Sequence, residues 1–264
     1  MIEQRLFIPA KDHDIPMVLC LPEAQGIYPC MLLLHGFMAW KEGDGYLFTK
    51  TAKALSDAGI ASARIDFCSM GENRCSRERY GTEICLEEAE TAFNYLRRHA
   101  QIDPERIGLL GHSMGGRITF LSSQLPSKCL VTFNGAVNVD KPGQMRLKGL
   151  DEKILREQGH LLYHTSDGRT ELLFPKFADD LQIHSDAIYS YKNPILLCIG
   201  ADDPTLDPQI SYDFANNCGM DNVETLVIEK ANHTFNAKTG DYTKVYELLD
   251  KPTPWLQDHL CAQH

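Results

Sequence analysis

The residues Gly111-His112-Ser113-Met114-Gly115 have the types and the spacing that a nucleophilic serine needs. A serine hydroxyl attacks a carbonyl group only when it is well exposed and a neighbouring base takes its proton. Glycines on both sides of the serine allow the backbone to turn sharply from a strand into a helix, which exposes the hydroxyl. The apolar residues 107–110 predict that strand, and residues 116–121 predict that helix. Ser113 is therefore the candidate nucleophile of an acyl-transfer reaction.

His233 is the candidate base among the ten histidines of the chain. It follows the last predicted strand, residues 223–228. A loop at that point lies at the carboxyl edge of a parallel sheet, which is also the edge where the Ser113 turn lies. A histidine in this loop is placed to accept the serine proton. The alternative is that His233 is an ordinary histidine of a surface loop.

The acid that orients the base should follow the preceding strand, which is predicted over residues 194–199. Asp202 and Asp203 come directly after it. Adjacent side chains in an extended loop point in different directions, so we expect one aspartate to contact His233 and the other to cap the turn. Asp207 is a more distant candidate.

The developing oxyanion needs backbone N–H donors rather than particular side chains. Met114, the residue after the candidate nucleophile, supplies one such donor. The second is expected from the loop after the first parallel strand, where His35-Gly36-Phe37 stands. Gly36 allows the backbone to approach a substrate closely, and the Phe37 N–H is the predicted donor.

Strands and helices alternate along the chain from about residue 30 onward. This alternation predicts an α/β fold with a doubly wound, mostly parallel sheet covered by helices on both faces. Strands are predicted over residues 5–9, 15–21, 30–34, 60–66, 107–110, 129–133, 194–199 and 223–228. Helices are predicted over residues 46–58, 83–100, 116–121, 242–250 and 255–260.

Residues 137–193 interrupt the alternation. This segment is rich in charge and in short helical patterns, with glycines between them. We interpret it as a cap inserted over the carboxyl ends of the strands, where ligands bind in such sheets. Residues 1–136 and 194–264 then form the core.

Four parts of the chain together resemble one superfamily. They are His35-Gly36-Phe37, residues 63–67 with Gly71, residues 111–116, and the loops that carry Asp203 and His233. On these motifs the chain resembles the α/β-hydrolases along nearly all of its length. Within that superfamily it is similar to small bacterial carboxylesterases of the cinnamoyl or feruloyl esterase type, and to dienelactone-hydrolase-like proteins. Dienelactone hydrolases use a cysteine nucleophile, whereas this chain has Ser113.

The resemblance implies an α/β-hydrolase fold and a Ser-His-Asp triad that cleaves small acyl or aryl esters through an acyl-enzyme, with no metal and no organic cofactor. It favours Asp203 over Asp202, because α/β-hydrolases commonly have Gly-x-x-Asp here and Gly200 supplies that register. It also gives His35 a structural role in its loop. In feruloyl-type esterases the cap covers the acyl pocket, so three cap aromatics are candidate substrate contacts: Tyr163, Phe174 and Phe177. The alternative is that these aromatics form the core of the cap itself.

The composition of the chain indicates which binding partners and which cell compartment to expect. A formal net charge of −10 argues against nucleic acid or an anionic membrane as the main partner. No apolar run is long enough to span a bilayer, and the first residues lack the apolar core of a signal peptide. The nine cysteines show no Cys-x-x-Cys spacing, which favours reduced thiols over metal ligands. We therefore expect a cytoplasmic protein that binds a small-molecule ester; whether it forms a homodimer is left open by the sequence.

The same triad serves several reactions. Ester, thioester and amide hydrolysis pass through similar tetrahedral oxyanions, so a thioesterase, an amidase and a peptidase remain alternatives to an esterase. Another alternative is a non-catalytic binding protein with the α/β-hydrolase fold. Such proteins usually lack one member of the triad, whereas this chain has a candidate for each.

Overall fold

A large sheet forms the centre of the protein in the computed structural model, which describes residues 1–140, 149–165 and 168–261. The strands in the described residues are β1 (Ile2–Pro9), β2 (Asp14–Leu21), β3 (Tyr28–Leu34), β4 (Ala61–Ile65), β5 (Ile102–His112), β6 (Leu130–Phe133), β7 (Leu161–His164), β8 (Thr170–Leu173), β9 (Ile195–Gly200) and β10 (Val223–Ile228). The α-helices in the same residues are α1 (Leu47–Asp57), α2 (Thr82–Leu96), α3 (Met114–Leu121), α4 (Glu152–Gln158), α5 (Pro175–Asp180), α6 (Gln209–Asn217), α7 (Thr243–Asp250) and α8 (Pro252–Leu256). No helix within this described part is long and apolar enough to cross a membrane.

The central sheet has eight strands in the order β1-β2-β4-β3-β5-β6-β9-β10. Six neighbouring strands, from β4 to β10 in that order, are parallel, whereas β2 pairs antiparallel with both β1 and β4. Because the carboxyl ends of parallel strands lie at one edge, the loops after β3, β5, β9 and β10 all leave the sheet on the same side. The predicted mostly parallel, doubly wound α/β-hydrolase sheet is confirmed.

Apolar side chains cover both faces of the sheet. On β3, Leu32 and Leu34 pack in one cluster while Met31 and Leu33 pack in the other. Helices α2 and α3 cover the first face, and α1, α7 and α8 cover the second. A strand buried on both faces is apolar at every position, which explains the continuous apolar run that β3 shows in the sequence.

The cap contains a β-hairpin in addition to short helices. Strands β7 and β8 pair antiparallel, with Leu162 opposite Leu172 and Tyr163 opposite Glu171. The expected short helical pieces are present as α4 and α5, whereas the hairpin was not predicted. The hairpin strands are four residues each and half of their side chains face solvent, so their period-two pattern is too short to stand out in the sequence.

The cap packs directly on the core. Leu155, Leu173 and Phe177 belong to the same apolar cluster as the first face of the sheet. The boundaries at residues 137 and 193 between core and cap stay a prediction. Helix α6, which lies between β9 and β10, was not predicted, because its serine, asparagine and aspartate residues have weak helix propensity.

Candidate active site

The Ser113 turn is held in shape by backbone contacts. Ser113 lies between β5 and α3 with φ 55° and ψ −119°, a region that non-glycine residues rarely adopt. Its backbone N–H donates to the Phe133 carbonyl at 3.1 Å. A side chain at Gly115 would overlap the Leu34 carbonyl, and one at Gly111 would overlap the Gly115 backbone. The glycines of the motif are therefore required by the close approach of β5, α3 and the end of β3.

Three side chains from separate loops form one hydrogen-bonded line. The Ser113 hydroxyl lies 2.8 Å from His233 Nε2, and His233 Nδ1 lies 2.6 Å from Asp203 Oδ2. Because a carboxylate can only accept, Nδ1 carries the proton and Nε2 is free to accept from the serine. The Asp203 side chain is 1% exposed and that of His233 is 14% exposed, so the carboxylate is shielded while the imidazole reaches the cavity.

Asp203 is the aspartate that the structure brings to His233. Its second oxygen, Oδ1, accepts from the backbone N–H groups of Thr205 at 2.8 Å and Leu206 at 3.0 Å. Asp203 therefore contacts the histidine and caps its own turn, so the two tasks are not divided between neighbouring aspartates. Asp202 and Asp207 are exposed on the same loop.

The loop after β3 runs alongside the serine. A Cβ added at Gly36 would lie 3.2 Å from Ser113 Cβ, which shows how closely the two backbones approach. The His35 ring donates from Nδ1 to the Gly36 carbonyl at 2.8 Å and accepts from the Phe67 N–H at 3.0 Å. Since a peptide is planar, fixing the Gly36 carbonyl also fixes the direction of the Phe37 N–H. Burial lowers the pKa of His35, which favours the neutral ring that this pair of hydrogen bonds requires.

A cavity of about 630 Å³ opens at this point of the sheet edge. Its lining includes Ser113, His233, Phe37 and Met114. Among the described residues, no group of three or more histidine, cysteine, aspartate or glutamate side chains is arranged to hold a metal ion.

Aromatic side chains form one wall of the cavity. Phe37 contacts Tyr163 edge-on, with ring centroids 5.3 Å apart, and contacts Phe177 at 5.0 Å. Tyr80 stacks on Phe177 with an interplanar angle of 12°. Tyr163 and Phe177 line the cavity, whereas Phe174 is half-buried at the start of α5 and is not part of the lining. The structure therefore brings two of the three candidate cap aromatics to the site.

His112 supports the histidine loop, a contact that the sequence does not indicate. Its Nε2 donates to the His233 carbonyl at 2.9 Å, and the two rings are 5.0 Å apart. Burial, together with the positive charge that His233 can carry, lowers the pKa of His112 to about 4. His112 is thus neutral near pH 7, and it adds no second positive charge beside His233.

Polar residues at the rim of the cavity were also not anticipated. Arg169 donates to the Met38 carbonyl at 2.7 Å and lies over the Trp40 ring, 5.3 Å from its centroid. Lys238 lies 3.2 Å from the Asp44 carboxylate. Because these residues are far apart in sequence and have no motif spacing, no local signal could have identified them.

Solved structures share this fold over the whole chain. A structure of Est1E from Butyrivibrio proteoclasticus with bound ferulic acid has a TM-score of 0.81 and 18% identity, covering 97% of this chain and 100% of that one. The α/β-hydrolase GrgF from a Penicillium species has a TM-score of 0.77 and 13% identity, covering 99% and 100%. At these identities the likeness shows the fold.

Sequence relatives are similar to this chain over a shorter segment. A protein of Escherichia coli, the "Uncharacterized 31.7 kDa protein in traX-finO intergenic region", is 29% identical over 122 residues, which are 46% of this chain and 42% of that protein. The polyketide transferase ATR5 of Stachybotrys chlorohalonatus is 27% identical over 113 residues, which are 42% and 37% of the two chains. The match thus spans less than half the length of each relative.

A family model matches far more of the chain. The model of the prolyl oligopeptidase family matches residues 73–262, which include the Ser113 turn, the Asp203 loop and His233. The matched region is more than half of the 264 residues, and it lies on an α/β-hydrolase sheet. The chain therefore belongs to the prolyl oligopeptidase family of α/β-hydrolases.

Proposed function

We propose that this hydrolase is a serine carboxylesterase that cleaves small acyl or aryl esters through an acyl-enzyme on Ser113. The observation that carries the proposal is the hydrogen-bonded line from Asp203 through His233 to the Ser113 hydroxyl, which opens into a cavity of about 630 Å³. A nucleophile, a base within hydrogen-bond reach and an orienting acid beside a substrate-sized space are what acyl transfer requires.

In the acylation step, His233 Nε2 takes the Ser113 proton while the serine oxygen attacks the ester carbonyl carbon. The carbonyl oxygen becomes an oxyanion, which accepts hydrogen bonds from the backbone N–H groups of Phe37 and Met114. Asp203 stabilises the positive charge that forms on His233. His233 then gives its proton to the leaving alcohol oxygen as the carbon–oxygen bond breaks, which leaves the acyl group on Ser113.

Deacylation repeats the same steps with water. His233 takes a proton from a water molecule, whose oxygen attacks the acyl-serine carbonyl. The second oxyanion uses the same two backbone donors, and His233 returns the proton to Ser113 as the acid product leaves. Each protein group therefore ends in the state in which it began, and the proton transfer between Ser113 and His233 runs between atoms already within hydrogen-bond distance.

The aromatic wall supports an apolar or aromatic substituent on the substrate. Phe37, Tyr163 and Phe177 present ring surface to the cavity, and ring contacts favour flat apolar groups. Est1E, which shares the fold, has been solved with ferulic acid bound. Aryl esters are therefore the substrates that we propose first.

A substrate panel tests the proposal. We expect 4-nitrophenyl butyrate and methyl esters of aromatic acids to be hydrolysed at least about tenfold more efficiently than an acyl thioester or a peptide anilide of the same acyl group. We also expect a fluorophosphonate probe to label the protein, with the modified peptide containing Ser113. A protein that resists labelling at high dose and hydrolyses no member of the panel would contradict the proposal and favour a non-catalytic binding role.

Cleavage of a peptide bond is the second candidate, and the match to the prolyl oligopeptidase family favours it. The same groups would serve, with His233 protonating a leaving amine instead of an alcohol. A proline-containing peptide 4-nitroanilide in the panel separates the two candidates. Higher kcat/KM on that anilide than on the matched ester would make the protein a peptidase.

A further inference from the structure

Asn134 occupies an unusual position at the end of the central sheet. It follows β6, is 4% exposed and has a positive φ of 44°. Asparagine adopts this left-handed region more readily than other residues with a side chain, apart from aspartate. Its backbone N–H donates to the Cys198 carbonyl at 2.9 Å, which continues the pairing of β6 with β9. The side-chain amide is thereby held at the carboxyl edge, beside the loops of Asp203 and His233.

The Asn134 amide joins these two loops. Its oxygen accepts from the Gly200 N–H at 2.6 Å, at the end of β9. Its nitrogen donates to the Asn232 carbonyl at 3.1 Å and to the His233 carbonyl at 3.0 Å. We call this set of three hydrogen bonds the Asn134 bridge. Both amide hydrogens and the amide oxygen are used, so the side chain is satisfied in this one arrangement.

The bridge lies where the two loops have no free space between them. A Cβ added at Gly200 would lie 2.7 Å from the Ala231 carbonyl and 2.8 Å from the Asn232 carbonyl. Three residues after Gly200, Asp203 contacts the His233 ring at 2.6 Å. The Asn134 side chain thus fixes the backbones of the Asp203 loop and the His233 loop, close to the point where Asp203 and His233 meet.

We propose that Asn134 is a positioning residue that sets the geometry of the Asp203–His233 pair, and this inference rests on the function proposed above. An amide is the group that fits, because the bridge needs one acceptor for Gly200 and two donors for the carbonyls. A carboxylate would lack both donors. An apolar group would leave the Gly200 N–H without its partner and would take one donor from each carbonyl, which would keep only Phe235 N–H at Asn232 and His112 Nε2 at His233. The cavity lining does not include Asn134, whereas its amide contacts the His233 carbonyl, so it acts through His233.

The variant Asn134→Gly tests the inference, since glycine adopts the left-handed backbone without strain and removes only the amide. We expect kcat for an aryl ester to fall roughly 10- to 100-fold with KM little changed, because misplaced catalytic groups slow the chemical steps rather than binding. We also expect a spectroscopic change: the Nδ1 proton of His233, in a short charge-assisted hydrogen bond, should give a far-downfield proton resonance that moves upfield or broadens in the variant. His233→Asn assigns that resonance by its loss.

Asn222 provides a matched control at the opposite end of the same strands. Its amide donates to the Tyr191 carbonyl at 3.1 Å and to the Asn193 carbonyl at 2.7 Å, just before β10 begins. Asn222→Ala therefore removes a comparable amide with two carbonyl partners, far from the triad. We expect it to lower the melting temperature while leaving both kcat and the His233 resonance unchanged.

The outcomes separate the inference from the proposed function. A folded Asn134→Gly protein with kcat within about twofold of native and an unmoved His233 resonance overturns the inference. If Asn134→Gly does not fold, Asn134→Asp keeps the left-handed backbone and the acceptor for Gly200, and it must show the same loss of kcat. If the native protein hydrolyses no ester, the proposed function fails, whereas the resonance still reports whether the Asn134 bridge orders the Asp203–His233 pair.

Discussion

The sheet edge that carries Ser113 and the cap hairpin β7–β8 both line the cavity, yet different contacts hold them in place. At the sheet edge every residue of α3 is buried, and the glycines of the turn touch neighbouring backbone. On the hairpin, Leu162 is 59% exposed, and side chains such as Arg77, which donates to the Leu172 carbonyl at 3.1 Å, tie it to the core. The Ser113 turn is thus held by backbone packing, whereas the hairpin side of the cavity is held through side chains.

The largest expected effect is at the sheet edge. Ser113→Ala removes the proposed nucleophile, and we expect kcat on an aryl ester to fall at least about 1000-fold. The melting temperature should change little, because the turn is held by its backbone and its glycines. Steady-state hydrolysis and thermal unfolding followed by circular dichroism check both statements. Activity close to native would mean that the nucleophile lies elsewhere.

Asp203 provides the next test of the sheet edge, and the adjacent Asp202 is its control. Asp203→Asn keeps the shape of the side chain but removes the charge that stabilises protonated His233, and we expect kcat to fall about 100-fold or more. The exposed Asp202, changed to asparagine in the same way, should alter kcat by less than about twofold. A larger loss in the Asp202 variant would transfer the role of the acid to that residue.

Low pH should lower the free energy of unfolding by protonating His112 at the sheet edge. The pKa of His112 in the folded protein is about 4, below the ordinary value of 6.5, so the unfolded chain binds the proton more readily. The contribution of neutral His112 to the free energy of unfolding is therefore fully present above pH 6.5. It is lost as the pH falls from 6.5 towards 4, which lowers the free energy of unfolding by up to about 3 kcal/mol. His35, whose pKa is also lowered by burial, acts in the same direction.

The variant His112→Gln isolates that contribution, because glutamine can still donate to the His233 carbonyl but does not titrate. We expect the free energy of unfolding in urea to fall less between pH 7 and pH 4.5 in this variant than in the native protein. His184→Gln, at an exposed position of the cap, is the control for replacing a histidine away from the sheet edge. If the free energy of unfolding falls equally with pH in His112→Gln and in the native protein, His112 does not contribute to the loss of stability at low pH.

The cap should show the smallest and most selective effect. Tyr163→Ala removes ring surface from the cavity, and we expect KM for an aryl-acid ester to rise about tenfold while hydrolysis of an acetyl ester stays near native. Leu162, the preceding residue on the hairpin, faces solvent and provides the control as Leu162→Ala. If both substrates lose activity equally, the hairpin would be part of the catalytic geometry, and the contrast between the two regions would fail.

Features with a local sequence signal were predictable. The alternation of strands and helices gave the fold, and the glycines around Ser113 marked the turn because close backbone contact admits no side chain there. The position of His233 followed from its place after a predicted strand, and the Asp202–Asp203 pair was placed in the same way, with Asp203 favoured by the resemblance. The structure brings His233 to Ser113 and Asp203 to His233. Their catalytic roles remain predictions.

Features that depend on distant contacts were not predictable. Asn134 meets partners 66, 98 and 99 residues away in the chain, and nothing in Asn134-Gly135 beyond an ordinary turn signal announces them. The choice between Asp202 and Asp203 depends on loop dihedral angles that two adjacent aspartates do not reveal. The β7–β8 hairpin owes its stability to packing on the core, which overrides its weak local pattern.

Strand β10 lies at the edge of the central sheet, where the protein should begin to unfold on heating. This strand pairs with β9 on one side only, and most of its residues are partly exposed. Edge elements of this kind open locally at a lower free energy than central strands. His233 lies on the loop that β10 holds, whereas Ser113 follows the central strand β5. Gentle heating should therefore detach His233, the proposed base, before the Ser113 turn melts, so that the proposed activity ends while most of the protein is still folded.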